Sequence, residues 1–452
     1  MPAAPRRTVV VGGGVAGLTA ARDLATAGRE VVVLEGSPRI GGKLLTGEVA
    51  GVEVDLGAES MLARRPEGVD LLRELGLDVV HPATTSSSVW TWGELRPLPR
   101  SVMGVPADVE QVARSGVLSD AALERLRHEC PGTALADGED VSVGELVARR
   151  LGDEVVDRLV EPLLGGVYAG HARLLSARAT VPQLVAWSGG TSLVEAAAQA
   201  VTASSGPVFA GITGGLGRLP GVLADGLVVR TGALVRELRR TPTGFALVAG
   251  PTVAPQEVLA DEVVLATPAA PTARLLAVLA PVAAAELAAV EHASMAIVTL
   301  AFRVGDLRDL PGSGFLVPPV DGRTIKAATF SFNKWDWVRE AGDGMLLLRT
   351  SVGRHREDAV LQVRDEELVA ASLADLAEAA GVTGRPVDTH VQRWGGALPQ
   401  YAVGHLDRVA RIRGDIAQVP GLAVCGAAYD GVGIPAVIAS ARRAVAELAQ
   451  AE

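Results

Sequence analysis

The chain opens on an unbroken apolar run rather than an alternating one. Thr8–Val11 is β-branched and hydrophobic throughout, as a strand buried on both faces of a parallel sheet should be. Residues 18–27 then read as a helix that stops at Gly28, and Glu30–Leu34 is a second apolar run closed by Glu35. Further on the period changes. Residues 101–185 are mostly of helical spacing, as in 121–127 and 144–151, whereas Ala296–Phe302 and Met345–Ser351 read as alternating strands with a helix over 365–380 behind them. Ala260–Pro268 reads as a further strand and turn. Near the end, an apolar stretch at Val424 runs through a glycine turn into a helix over 436–449.

The first of these patterns carries chemistry. Gly12-x-Gly14-x-x-Gly17 joins the first strand to the first helix, and each glycine serves a different need. Gly12 permits the tight turn, Gly14 lets backbone approach a pyrophosphate, and Gly17 lets helix and strand pack closely. The helix start at Val15 and Ala16 offers unpaired N–H groups to phosphates. Glu35, 18 residues beyond Gly17, stands where a carboxylate accepts from ribose hydroxyls, and an acid there favours FAD or NAD over NADP. With 52 glycines in the chain the motif alone says little; strand, glycines, helix, strand and acid within 28 residues say much more. The turn Val432-Gly433-Ile434-Pro435 opens a second helix whose N-terminus could stabilise negative charge. By local sequence, a turn with no ligand is equally open there.

Composition narrows the classes. Fifty-two acidic residues against 42 basic ones give a net charge of −10 with no basic stripe, which argues against nucleic-acid binding. Cys130 and Cys425 are the only cysteines, so neither a disulfide framework nor a zinc site is expected, and a reducing compartment is favoured. Met1–Arg7 is basic, but the glycines that follow would break a signal helix. The most apolar window, 263–290, is interrupted by Pro268, Pro271, Arg274, Pro281 and Glu286 and cannot span a membrane cleanly. A cytoplasmic protein is expected, without a metal. No Ser/His/Asp set stands out. Only three lysines occur: Lys43, Lys326 and Lys334.

Several longer segments now carry a resemblance. Ile40-Gly41-Gly42-Lys43-Leu44 and Val54-Asp55-Leu56-Gly57-Ala58-Glu59-Ser60 resemble the second glycine pair and following turn of the flavin amine oxidase superfamily. Glu161–Gly170, Gly214–Pro220, Trp394–Tyr401 and Gly426–Pro435 are similar to motifs of its porphyrinogen oxidase branch, in order along essentially the whole chain. The resemblance implies an α/β fold with an α+β insert. A discontinuous Rossmann-like FAD-binding domain would comprise residues 1–80, 210–275 and 385–452. A mixed-sheet substrate domain would comprise 81–100, 186–209 and 276–384, and a helical insert 101–185. It further implies FAD contacts at Gly12, Gly13, Gly14, Val15, Ala16, Gly17, Glu35, Gly36, Lys43, Gly57, Ala58, Glu59, Ser60, Val235, Trp394, Val432, Gly433 and Ile434. Without the resemblance, Val235 and Trp394 would be read as core.

The activity implied is FAD-dependent oxidation of coproporphyrinogen III to coproporphyrin III in heme biosynthesis, with O2 reduced to H2O2. Hydride would pass to the flavin, so no catalytic side chain is nominated. Arg64 and Arg65 follow the 57–60 loop closely and are candidates for the substrate's propionates, with Val167 and Tyr168 as its apolar wall. Relatives acting on protoporphyrinogen IX usually carry an Asn-Arg pair where this chain has Ser88, which points to the tetrapropionate substrate. Protoporphyrinogen IX remains the alternative, followed by an amine oxidase or desaturase, or a non-catalytic porphyrin-binding flavoprotein. A ferrochelatase hand-off and at most peripheral membrane contact would fit the same family.

Overall fold

The computed structural model describes residues 5–130, 132–189, 192–203 and 206–450, so Met1–Ala4 of the N-terminal reading lie outside it. The early apolar runs become the middle of a five-stranded parallel sheet. Its order is Val228–Arg230, Glu30–Leu34, Arg7–Val11, Glu262–Leu265 and Leu422–Val424. Val9 pairs with Val32 on one side and Val263 on the other, and Leu265 pairs with Val424. Val9, Val10, Val263 and Val264 are wholly buried because both faces are covered. Helices Val15–Thr26 and Ile434–Gln450 pack on one face through small residues (Ala16, Ala20, Ala441, Ala444), which let the helix axes come close to the sheet. A three-stranded antiparallel ribbon and the helices Ala269–Leu276 and Pro281–Ala288 cover the other face.

The second sheet has seven strands in the order Asp388–Pro399, His292–Arg303, Met345–Val352, Ile325–Thr329, Gly314–Leu316, Ser88–Thr91 and Glu94–Pro97. Only the Gly314–Leu316/Ser88–Thr91 pair is parallel. Ala296, Val298, Leu300 and Phe302 alternate onto one face, where Leu368 and Leu376 of helix Asp365–Ala380 cover them. The opposite face, carrying Thr299 and Arg349, looks toward the 55–59 segment of the cofactor unit. Asp388–Pro399, which sequence grouped with the parallel-sheet segments in 385–452, is an edge strand of this second sheet instead. Its partner register along His292–Arg303 decides its place.

The helical insert forms its own core from Val112, Leu123, Leu126, Val147, Leu159 and Leu164, among others, and takes in Leu193 and Ala197 of helix Leu193–Ala203 as well. Its helices start where side chains cap them: Asp108, Ser119 and Ser142 accept from the N–H groups of Gln111, Ala122 and Glu145. Arg158 reaches across to Asp321 at 3.1 Å, fixing the insert to the second sheet by a largely buried ion pair. Among the described residues, no helix is long and apolar enough to cross a membrane.

Candidate cofactor cleft and substrate cavity

Both glycine turns leave the same edge of the parallel sheet. One follows Arg7–Val11, the other Leu422–Val424, and only Glu262–Leu265 lies between them. The two ends of the chain thus meet: a Cβ on Gly426 would lie 4.0 Å from that of Ala16. Gly12 has φ of +110°, a conformation that side chains rarely adopt, and a Cβ on Gly17 would sit 1.9 Å from the Gly12 carbonyl oxygen. Gly41 donates to the Gly13 carbonyl at 2.7 Å, which draws the second glycine loop against the first. A Cβ on Gly14 would meet nothing nearer than Gly42 Cα at 4.0 Å. That gap between two glycine backbones, at a helix N-terminus, is shaped for a pyrophosphate.

The neighbouring groups suit the rest of a dinucleotide. The Glu35 carboxylate accepts from Gly13 N–H at 2.6 Å and Ser37 N–H at 2.7 Å, which holds it beside the turn. Ala233 N–H donates to the Glu35 carbonyl at 2.8 Å, and Gly36 packs on Leu234, so the Val235 segment runs along the acid. Leu234 C=O and Arg236 N–H are paired with Gly250 and Val248, whereas neither backbone group of Val235 has a partner among the described residues. Lys43 is open to the cleft but walled by protein, and burial lowers its ammonium to about 8. Its carbonyl accepts from Ala58 N–H at 3.2 Å and would be 2.1 Å from a Cβ on Gly57, so the two loops are seated on each other. Trp394 closes this side: its Nε1 donates to Leu56 O at 3.3 Å, and Arg39 lies 5.7 Å over its ring.

Glu59 does something sequence reading did not foresee. Its carboxylate is held in an ion cluster, 2.6 Å from Lys334 Nζ and 3.1 Å from Arg349 Nη1, with Ser331 Oγ at 3.4 Å. Burial works against its charge, yet the two cations outweigh that and hold its carboxyl down at about 2. Arg349 also donates to Gly57 O at 2.8 Å and Asp55 O at 3.1 Å. Asp55 in turn accepts from Leu216 and Gly217 N–H at 2.9 and 2.8 Å, and burial pushes its carboxyl up to about 7. The 55–60 loop is thereby locked from behind. The scarcity of lysine was the one sequence signal pointing to Lys334.

The C-terminal turn is locked by an aromatic group. Tyr401 Oη donates to Ala427 O at 2.6 Å and accepts from Gly431 N–H at 2.8 Å. Its ring stacks on His405 at 3.8 Å and lies 5.7 Å from that of Tyr168, while His405 donates to Tyr429 O at 2.9 Å. Val432 packs against the insert's core, a Cβ on Gly433 would meet only Pro435 at 3.9 Å, and Ile434 begins the helix.

Helix Glu161–Tyr168 ends over the second sheet, where a Cβ on Gly166 would lie 3.9 Å from Leu316. Val167 is 44% exposed there, whereas Tyr168 is 7% exposed and turned toward Tyr401, with burial raising its hydroxyl to about 12. Arg64 and Arg65 are both exposed, just before helix Pro66–Glu74, and Arg65 is paired with Glu67 at 2.6 Å. Ser88 starts a strand of the second sheet, paired with Phe315. A groove of about 340 Å³ is lined by Met295, Ser294, Leu361, Trp394 and Gly395. Among the described residues, no group of three or more His, Cys, Asp or Glu side chains could hold a metal ion.

Known proteins match this architecture along its length. The family model described as flavin containing amine oxidoreductase matches residues 15–449. Coproporphyrinogen III oxidase of Mycobacterium tuberculosis (strain H37Rv) is 40% identical, over 99% of this chain and 98% of its own. That of Bacillus subtilis (strain 168) is 31% identical over 98% and 97%. Among solved structures, a candidate protoporphyrinogen oxidase from Exiguobacterium sp. 255-15 superposes with a TM-score of 0.87 at 32% identity, over 99% and 100% of the two chains. Cyclohexylamine oxidase from Brevibacterium oxydans shares the fold, with a TM-score of 0.72 at 16% identity. A cleft shaped for a flavin dinucleotide, built from the two ends of the chain, agrees with these likenesses: the protein belongs to the flavin containing amine oxidoreductase family, with FAD as its cofactor.

Proposed function

We propose that this protein oxidises coproporphyrinogen III to coproporphyrin III, with O2 as the final acceptor and H2O2 as the second product. The reading is carried by its likeness, from end to end, to proteins named coproporphyrinogen III oxidase. The substrate loses six electrons and six protons, so three rounds are needed, each consuming one O2 and releasing one H2O2. When bound, FAD supplies the two-electron acceptor for each round.

The chain's own residues then have assignable roles. Gly12–Gly17 and Lys43 take the pyrophosphate, Glu35 and Gly36 the ribose, and the free backbone of Val235 the adenine. Gly57, Ala58 and Ser60 present loop backbone to the ring system, with Glu59 holding that loop in place, and Trp394 forms a wall beside it. Gly431 N–H is already spent on Tyr401, which leaves the N–H groups of Val432, Gly433 and Ile434 to meet charge at the ring edge. Val167, and Tyr168 through its packing, form part of the cavity wall, and Arg64 is the freer of the two arginines to meet a propionate. The gain of aromaticity drives the reaction, so holding the macrocycle against the cofactor outweighs acid–base chemistry. A cytoplasmic site of action, peripheral membrane contact and transfer of product to a ferrochelatase fit this role.

The likeness to the Exiguobacterium structure keeps protoporphyrinogen IX as the second substrate to test. Porphyrin fluorescence and peroxide should both appear when the flavin-loaded protein meets coproporphyrinogen III in air, with kcat/KM well above that for protoporphyrinogen IX. A reversed preference would reassign the substrate. Neither product from either substrate would leave a porphyrin-binding flavoprotein.

A further inference from the structure

Two of the three lysines have been placed, Lys43 at the cofactor cleft and Lys334 on Glu59. Lys326 belongs to neither. It lies in strand Ile325–Thr329 of the substrate sheet, where pairing with Met345–Val352 shifts register between Ile325 and Ala327. It is 4% exposed. Its ammonium donates to Gly353 O at 2.9 Å and otherwise approaches only Met295 Sδ, at 4.0 Å. No carboxylate among the described residues forms an ion pair with it. An ammonium has three donors, and this one is buried with one strong acceptor and one weak one.

Its surroundings make the position more cationic. Arg354, 5% exposed, donates to Val317 O at 3.2 Å and reaches Glu357 only at 3.8 Å. Burial, then Arg354, lower the Lys326 ammonium to about 7, with Glu357 acting weakly the other way. Arg354 and the protonated form of Lys326 share only the more distant carboxylates Glu357 and Glu161, so the pair can accept an anion. Packing alone would be met by methionine or leucine.

The place explains which anion. Met295 also lines the groove, beside its cross-strand neighbour Trp394. Ser294 and Leu361, further lining residues, sit against Gly353, whose carbonyl holds the ammonium. Lys326 therefore stands one thioether behind the groove, and methionine is the side chain that most readily changes rotamer. We propose that Lys326 is a substrate-binding residue: with Met295 turned aside, its ammonium receives one carboxylate of the macrocycle at the inner end of this groove, with Arg354 as the supporting cation. The inference rests on reading the substrate as a tetracarboxylic porphyrinogen.

The test is Lys326→Gln in the flavin-loaded protein. Glutamine can still donate to Gly353 O, so a purely structural role would survive while the charge is lost. Binding of coproporphyrin III and of its tetramethyl ester is followed by porphyrin fluorescence. The variant should bind the tetra-acid about tenfold or more weakly, with KM for coproporphyrinogen III raised in proportion, and the ester unchanged. Wild-type affinity for the tetra-acid in Lys326→Gln would overturn the proposal. Should that variant not load flavin, Lys326→Arg decides. Tetra-acid binding kept within about threefold upholds a charge role, and equal loss of acid and ester binding rejects it. A wild-type protein that neither binds nor oxidises the tetra-acid would instead refute the proposed function itself.

Discussion

The ion cluster behind the flavin loop gives a prediction whose size can be worked out. Glu59 is largely buried, and its carboxyl is held near 2 rather than at the ordinary 4.5 by Lys334 and Arg349. A depression of that extent corresponds to about 3 kcal/mol of stability at neutral pH, at roughly 1.4 kcal/mol per unit. Because the folded pKa lies below the unfolded one, this stability is fully present above pH 4.5 and is lost as pH falls toward 2. Glu59→Gln keeps the shape and removes the charge, leaving two cations facing each other. It should cost about 3 kcal/mol in urea unfolding at pH 7, with a much smaller difference from wild type near pH 3. Lys334→Met in the same background should restore part of the loss, since one unpaired cation goes with it. The loop tied to Arg349 includes Gly57 and Ala58, so FAD affinity should fall as well. Loss of less than about 0.5 kcal/mol at pH 7, with unchanged FAD affinity, would refute the idea that this cluster fixes the loop.

Other outcomes follow from single contacts. Gly17→Ala places a methyl 1.9 Å from the Gly12 carbonyl oxygen, which is backbone and cannot yield, so the chain should be recovered without flavin absorbance; a yellow variant would contradict this. Tyr401→Phe removes both bonds that aim the Gly431 turn, and should cost about 1–2 kcal/mol while shifting the flavin's midpoint potential in redox-dye titration. An unmoved potential would show the turn is aimed by other contacts. Lys43 starts near 8 and must be charged to meet a pyrophosphate, so FAD affinity should decline as pH rises through 8. Lys43→Met should bind FAD more weakly at pH 7 and flatten that decline, as read by calorimetric titration.

Much of the cofactor unit was legible because it depends on local rules. A β-branched run, a glycine at positive φ, a helix and a terminal acid are each set by nearby residues; Gly12 and Gly17 have the tight turn and close packing their spacing predicts, and Glu35 lies against that turn. That the two ends of the chain meet was also readable, since parallel strands open their turns on one edge. What escaped was decided by partners distant in sequence. Asp388–Pro399 joins the substrate sheet because of its register with His292–Arg303, which no local pattern records. Glu59 was expected at the cofactor because it lies in the right loop, yet its side chain turns to Lys334, 275 residues away. Lys326 was noticed for its rarity alone; the missing carboxylate beside it could be seen only in three dimensions.

In the proposed function, porphyrinogen delivers electrons to a flavin held between the two ends of this chain. Purified, FAD-loaded protein should be mixed with coproporphyrinogen III in the absence of oxygen while flavin absorbance is followed. The yellow band should bleach, with three flavins reduced for each porphyrin formed, and return on admitting air with release of peroxide. A band that keeps its full intensity under excess porphyrinogen would contradict it.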